Sequence, residues 1–180
     1  IKGRIVLSQK RLVLAANRDA KSTIPLSAIF DVAVGHIPPD LGDFFDSTVT
    51  IAFEKNDSRY VAVVEADDDK IEKFSTVLFK AILNGTDVTL KHPAKVGGRV
   101  TGAEFRPAKL SLEPGTVCFR HSRGSTDVSL PAITDFQRDT AVIGGDRRPI
   151  LRVRHARNGD ATTTLAATES ARKLAILGRY

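Results

Sequence analysis

Residues Pro25–Val32 read PLSAIFDV and residues Ser129–Phe136 read SLPAITDF, so that Leu26, Ala28, Ile29 and Asp31 return as Leu130, Ala132, Ile133 and Asp135. The flanking text repeats more loosely. Upstream, RIVLSQKRLVLAA (Arg4–Ala16) sets two short apolar runs around a polar turn, and AKLSLEPGTVCFRH (Ala108–His121) has the same plan at nearly the same offset. Downstream, STVTIAFEKNDSRYVAVVEADD (Ser47–Asp68) alternates, turns at Lys55-Asn56-Asp57 and alternates again; its counterpart RPILRVRHARNGDATTTLAATES (Arg148–Ser170) turns at Asn158-Gly159. Asn, Asp and Gly tolerate the positive φ that tight hairpins require. The repeat is about one domain long, which excludes a solenoid of short units.

Each copy closes on a helix signal. Asp69 and Glu72 have capping-box spacing, Ile71, Phe74, Leu78, Ala81 and Ile82 recur at helical period, and Asn84-Gly85 ends the run. In the second copy Thr168 or Ser170 caps a segment with Ala171, Leu174, Ala175 and Leu177 on one side. The first copy offers strands at 2–7, 11–16, 21–25, 29–34, 48–53 and 59–64, and the second at 99–105, 108–112, 116–121, 126–130, 133–140, 149–155 and 161–166. The fold class expected is mainly β with α: two tandem pleckstrin-homology-like barrels, each of about seven antiparallel strands closed by a C-terminal helix. The expected domains are 1–90, lacking a first strand, and 99–180, joined by a linker at 91–98 that contains the flexible pair Gly97-Gly98. The chain reads as a portion of a longer protein.

Composition fits two small packed units: 42% hydrophobic, 27% charged, with no apolar run near the ~20 residues that span a bilayer. The lone Cys118 excludes an internal disulfide and, in the strand-like TVCFRH, reads as a buried thiol of a cytoplasmic protein. The net charge of +6 is unevenly divided. Residues 1–97 carry nine Lys and four Arg against thirteen acids and balance to zero, whereas residues 98–180 carry two Lys and twelve Arg against eight acids and hold all the excess. Such asymmetry between copies points to different partners.

Catalytic and metal signatures do not emerge. His36, His92, His121 and His155 are scattered and read as loop or strand-end residues. Asp67-Asp68-Asp69 reads as a helix start, where acids favour the N-terminus, and not as a cation site. No catalytic residue, metal ligand or cofactor site is assigned, and the chain is not expected to be an enzyme. Two surface features are candidates for partner binding. In the loop GHIPPDLGDFFDS (Gly35–Ser47), Phe44 and Phe45 either fold back as minor core or leave one ring outward, because neighbours on an extended segment point opposite ways. On the strand 149–155, Leu151 and Val153 share one face and Arg152 and Arg154 the other; with Arg147, Arg148 and Arg157 at its ends this makes a basic stripe. Arginine suits carboxylate and phosphate, although a solvated strand face is the plain alternative.

GRIVLSQKRLVLA (Gly3–Ala15) followed by IPLSAIFDV (Ile24–Val32) resembles the strand–turn–strand pattern of GRAM and pleckstrin-homology-like domains. More specifically, KGRIVLSQKRLVLA (Lys2–Ala15), TVTIAF (Thr48–Phe53), LFKAILNGTDVTLKHPAKVGGRV (Leu78–Val100) and RPILRVRH (Arg148–His155) resemble, in order, the archaeal taxis family CheF. The resemblance implies a cytoplasmic adaptor at the archaellum motor. Its implied partners are the phosphorylated response regulator CheY and the archaellum proteins FlaC, FlaD and FlaE. A homodimer is also expected, since repeated motor subunits favour a multivalent adaptor. The alternative is a peripheral module that reads anionic lipid, but the loops Ser8-Gln9-Lys10 and Glu113-Pro114-Gly115 hold a single lysine. Nucleic acid is not an expected partner, because no aromatic platform interleaves with the arginines.

Overall fold

The computed structural model describes residues 3–16, 19–44 and 46–180. It forms two compact units, Ile1–Ile82 with Arg179–Tyr180, and Leu83–Gly178.

In unit 1, β1 (Arg4–Leu7), β2 (Arg11–Ala15) and β3 (Lys21–Pro25) form one antiparallel sheet. A single 3-10 turn over Leu26–Ala28 then leads into β4 (Ile29–Val34), which forms a second sheet with β5 (Ser47–Lys55) and β6 (Ser58–Ala66). The β5–β6 hairpin turns where the sequence predicts, with Asn56 at φ 50° and Asp57 at φ 58°. Leu12, Ile24, Ile29, Val32, Val49 and Ile51 are buried, each such side chain contributing roughly 1.5–3 kcal/mol of hydrophobic stabilisation. α1 (Asp68–Leu83) follows directly after Asp67, whose carbonyl accepts the first helical bond and whose carboxylate pairs with Lys70 at 2.6 Å. That ammonium holds the Asp67 carboxyl below its usual range. Ile71, Ser75, Leu78, Phe79, Ile82 and Leu83 are buried, while Phe74 and Ala81 are only half-buried.

Unit 2 opens with β7 (Asp87–Val96), continues through the two-residue β8 (Arg99–Val100), β9 (Arg106–Glu113), β10 (Thr116–His121) and β11 (Gly124–Ser129), and after a 3-10 turn over Leu130–Ala132 adds β12 (Ile133–Ile143), β13 (Asp146–Arg157) and β14 (Asp160–Thr168). All but β8 lie on one antiparallel path, β11-β10-β9-β7-β14-β13-β12. α2 (Ala171–Leu177) closes the unit, capped by Ser170, whose hydroxyl accepts the Lys173 N–H at 3.2 Å. Leu174, Ile176 and Leu177 are its buried residues.

The coarse class is mainly β with α, as expected. Closure is not: the sheets are open and do not form barrels. The first strand of unit 2 is also not 99–105, of which only Arg99–Val100 is strand; residues 91–98 fall in β7 and in the Gly97-Gly98 turn that leads to β8. The segment disguises itself because Pro93 and two lysines interrupt an otherwise regular alternation that buries Val88, Leu90, His92 and Ala94. Proline has no N–H for the ladder, and the ladder breaks there. Thr163 pairs with Lys95 and Leu165 with Lys91, so Thr164 alone opposes residues 92–94.

The two quoted stretches have the same local structure. Pro25 (φ −59°, ψ 137°) and Ser129 (φ −71°, ψ 126°) precede their 3-10 turns, and Ile29 and Ile133 leave them in extended conformation. Leu26 donates its N–H to the Lys10 carbonyl and Leu130 to that of Gly115. A register shift follows each turn, between Ile29 and Asp31 and between Ile133 and Asp135. Ile29 is buried whereas Ile133 is half-buried.

Candidate functional site on the β12–β13 ribbon

β12 has 11 residues and β13 has 12, and β12 pairs with β13 alone, leaving its other edge without a strand among the described residues. Alternation sorts the arginines of β13 onto two faces. Arg148, Arg152 and Arg154 share a face with Ile150; Arg147 and Arg157 share the other with Leu151, Val153 and His155. The arginines are therefore not one stripe.

The first face is mixed in charge. Across the ladder Asp135 opposes Arg154, Asp139 lies diagonally from Arg152 and pairs with it, and Asp146 sits at the turn. Arg148 donates to the Thr168 carbonyl at 3.0 Å. Arg154 is exposed and, among the described residues, its side chain makes no hydrogen bond or ion pair. On the second face Arg147 donates to Thr140 Oγ1 at 3.1 Å. Here Phe136 and Val142 on β12 are 55% and 66% exposed, beside the exposed Arg138. Exposed aromatic and apolar side chains next to arginine have the composition of protein-binding surface. Sequence reading misses Phe136 and Val142 because, alternating with polar residues, they read as the inward side of an ordinary strand; only the position of β12 at the edge leaves them outside.

Arg157 is drawn into a buried cluster that the scattered histidines conceal. His92 on β7 and His155 on β13 stack at 5.9 Å, with Thr164 of β14 between them, its Oγ1 2.7 Å from His92 Nδ1 and 2.9 Å from His155 Nε2. Arg157 Nη1 meets His92 Nε2. A guanidinium only donates, so His92 Nε2 accepts, His92 Nδ1–H donates to Thr164, and the Thr164 hydroxyl is left to donate to His155 Nε2. The chain of bonds has one direction, and it requires both imidazoles to be neutral. Burial, with the Arg157 charge second and His155, Arg106 and His121 adding to it, pushes His92 down to about 4. Burial, again with Arg157 second, lowers His155. The placement of both rings corrects the loop or strand-end reading: they are interior, brought together because β7, β14 and β13 are adjacent.

Phe44 is half-buried in the loop before β5, and its neighbour Phe45 lies outside the described residues. Cys118 is buried and unpaired, its thiol pushed up by burial and then by Asp127. Among the described residues no group of three or more His, Cys, Asp or Glu could hold a metal ion. No helix among them is long and apolar enough to cross a membrane.

Residues 1–180 match the family described as Archaeal Chemotaxis signal transduction system protein F. The chain is 41% identical over 180 residues to Taxis protein CheF2 of Halobacterium salinarum, covering all of this chain and 62% of that protein. It is 31% identical over 171 residues to Taxis protein CheF1 of the same organism, covering 94% of this chain and 57% of that protein. The chain thus spans less than two thirds of the curated relatives it matches. The chain belongs to the archaeal CheF family of chemotaxis signal transduction proteins.

Proposed function

We propose that this chain is the docking portion of a non-enzymatic, cytoplasmic adaptor that links phosphorylated CheY to the FlaC, FlaD and FlaE proteins of the archaellum motor. The observation that carries this reading is the match to a taxis signalling family along the whole of residues 1–180. The ribbon supports it. A ribbon with Phe136 and Val142 exposed on its edge strand beside Arg138 and Arg147, and with Arg154, which has no side-chain partner among the described residues, on its reverse face, offers apolar area and directional donors in one place. Arg148 and Arg152 frame the same surface, while Arg157 serves the interior.

The test is a pull-down from archaeal extract with the full-length protein, with and without a phosphoryl mimic on CheY. Capture of CheY together with FlaC, FlaD or FlaE, strengthened by the mimic, is the expected result. Recovery of anionic lipid or nucleic acid in their place overturns the reading.

A further inference from the structure

We propose that the open edge of β12 is a strand-addition site that takes one extended, acidic segment of a partner protein, antiparallel to it. The inference rests on the reading of the ribbon as a docking surface and specifies how the ribbon holds its partner. The sheet of unit 2 ends on two strands, β11 and β12, which differ in what they leave outside. On β11 the exposed residues are Gly124, Ser125, Asp127 and Ser129, while Thr126 and Val128 are buried. On β12 the whole face formed by Thr134, Phe136, Arg138, Thr140 and Val142 is exposed. From Asp135 to Ile143 the register with β13 runs without irregularity, so the edge is regular once past the shift at Ile133.

Pro149 shows which backbone groups are available. It lies opposite Thr140 and has no N–H to give, and the Thr140 amide donates instead to Asp139 Oδ1 at 2.7 Å. The two residues therefore form a non-bonded pair. Such pairs alternate with bonded ones along an antiparallel ladder, so Phe136, Arg138, Thr140 and Val142 turn their N–H and C=O groups to the open edge. These are the same residues whose side chains are exposed. Main-chain bonds from them would hold an added strand, and their side chains would select it.

The occupant follows from charge. Arg138 is exposed between Phe136 and Val142 and, among the described residues, its side chain makes no hydrogen bond or ion pair. The acids of β12 lie on the other face, where Asp139 pairs with Arg152 and Asp135 opposes Arg154. The complement is a segment whose alternate residues, running from Val142 back to Phe136, read apolar, neutral, acidic, apolar, since opposite charges and apolar pairs stabilise directly opposed positions. A second copy of β12 does not supply this. Antiparallel self-pairing centred on Arg138 sets two arginines opposite each other, centring on Asp139 sets two aspartates, and centring on Gln137 sets Asp135 against Asp139. Like charges directly opposed are destabilising.

The test titrates the full-length protein with a synthetic peptide of that pattern, Glu set opposite Arg138, up to about 1 mM, and reads residue-resolved amide hydrogen exchange. The amides of Phe136, Arg138 and Val142 should exchange fast in the free protein and slowly with peptide, while those of Gln137, Asp139 and Ala141 are slow in both. Replacing the peptide Glu by Lys should weaken binding by about two- to fivefold, and Arg138→Glu should reverse that preference. N-methylation of alternate peptide amides blocks one edge of the peptide at a time, so one pattern should abolish binding and the other preserve it. Tolerance of both patterns, or no binding at the highest concentration, would overturn strand addition. Outward amides already slow in the free protein would do the same, by showing the edge covered by its own polypeptide or, where protection grows with protein concentration, by a second copy. The pull-down with CheY and the motor proteins is decided separately. Peptide binding without their capture supports the site and counts against those partners, whereas their binding with the β12 amides unprotected keeps the partners and overturns the site.

Discussion

β6 and β14 close equivalent hairpins, each nine residues long and each following an Asn-containing turn, yet β6 buries nothing fully and β14 is largely interior. The difference lies in their neighbours. β14 is flanked by β13 and β7, whereas β6 is flanked, among the described residues, by β5 alone. A strand's burial is thus a property of the sheet, which explains why Val-rich YVAVV is only exposed or half-buried while Thr-rich TTTLAA lies inside. In the interior the threonines need partners, and Thr164 finds two in His92 and His155.

The sharpest way to break this comparison is to delete equivalent side chains in the two units. Leu110→Ala should cost about 2–5 kcal/mol, because it empties a fully buried site between β7 and β10. Ile5→Ala at the counterpart, which is 36% exposed, should cost well under half as much. Denaturant melts of both variants read the difference. A loss below about 1 kcal/mol for Leu110→Ala would remove β9 from the core.

The histidine pair distinguishes the units next. Unit 1 has no buried histidine among its described residues, while unit 2 has two. The unfolded chain takes up a proton on His92 near 6.5, but the folded chain does so only near about 4. Between those values the unfolded state binds more protons, so stability is fully present above 6.5 and is lost as pH falls toward 4. For His92 alone the loss reaches about 3 kcal/mol. Melts of unit 2 signals from pH 7 to 4 should show this decline, and His92→Phe should flatten it. A profile unchanged by His92→Phe would place the ring outside the buried cluster.

Much of this architecture is legible in the sequence, and what is not has definite causes. The repeated PLSAIFDV and SLPAITDF segments carry the turn that hands one sheet to the next, because their pattern is local. β3, β4 and β10 fall on the expected residues for the same reason. β7 is hidden because Pro93 and the Gly97-Gly98 turn imitate a linker, and because one of its two partners, β14, lies far along the chain. The His92–Thr164–His155 contact joins residues up to 72 positions apart, with no metal-like spacing to announce it. Of the arginine stripe, residue type and exposure are readable, but the opposing Asp135 and Asp139 are not, since register is fixed only once β12 and β13 pair.

The hairpin turns give a smaller effect. Asn158 (φ 50°) and Gly159 (φ 84°) close β13–β14, while Asn56 and Asp57 do the same for β5–β6 with no glycine. A non-glycine residue in the left-handed region costs about 1 kcal/mol or somewhat more, so Gly159→Ala should destabilise by about that amount and Asp57→Gly should recover a few tenths. Thermal melts of the exchanged turns check this. Equal tolerance at both positions would mean that the turns differ in backbone conformation.

The smallest stability effect and the most informative binding effect come from the charges confined to unit 2. Arg154 has no side-chain partner among the described residues, whereas Arg152 is held by Asp139, so the two should separate on reversal. Arg154→Glu should leave the fold within about 0.5 kcal/mol, since surface changes seldom cost more. Arg152→Glu should cost slightly more, because it sets a carboxylate against Asp139. For an acidic partner, loss of an exposed contact is worth roughly 0.2–1 kcal/mol, a change of up to about fivefold in affinity for each arginine. That change should grow at low salt, as the screening length lengthens beyond the ~8 Å of physiological ionic strength. Lys10→Glu in neutral unit 1 should change little. Titrations of CheY and of each motor protein against these variants at two salt concentrations separate the cases. If Arg154→Glu is silent for every partner while Phe136→Ala weakens one of them, the contact is made by the apolar face of the ribbon, and the charged face is left to solvent.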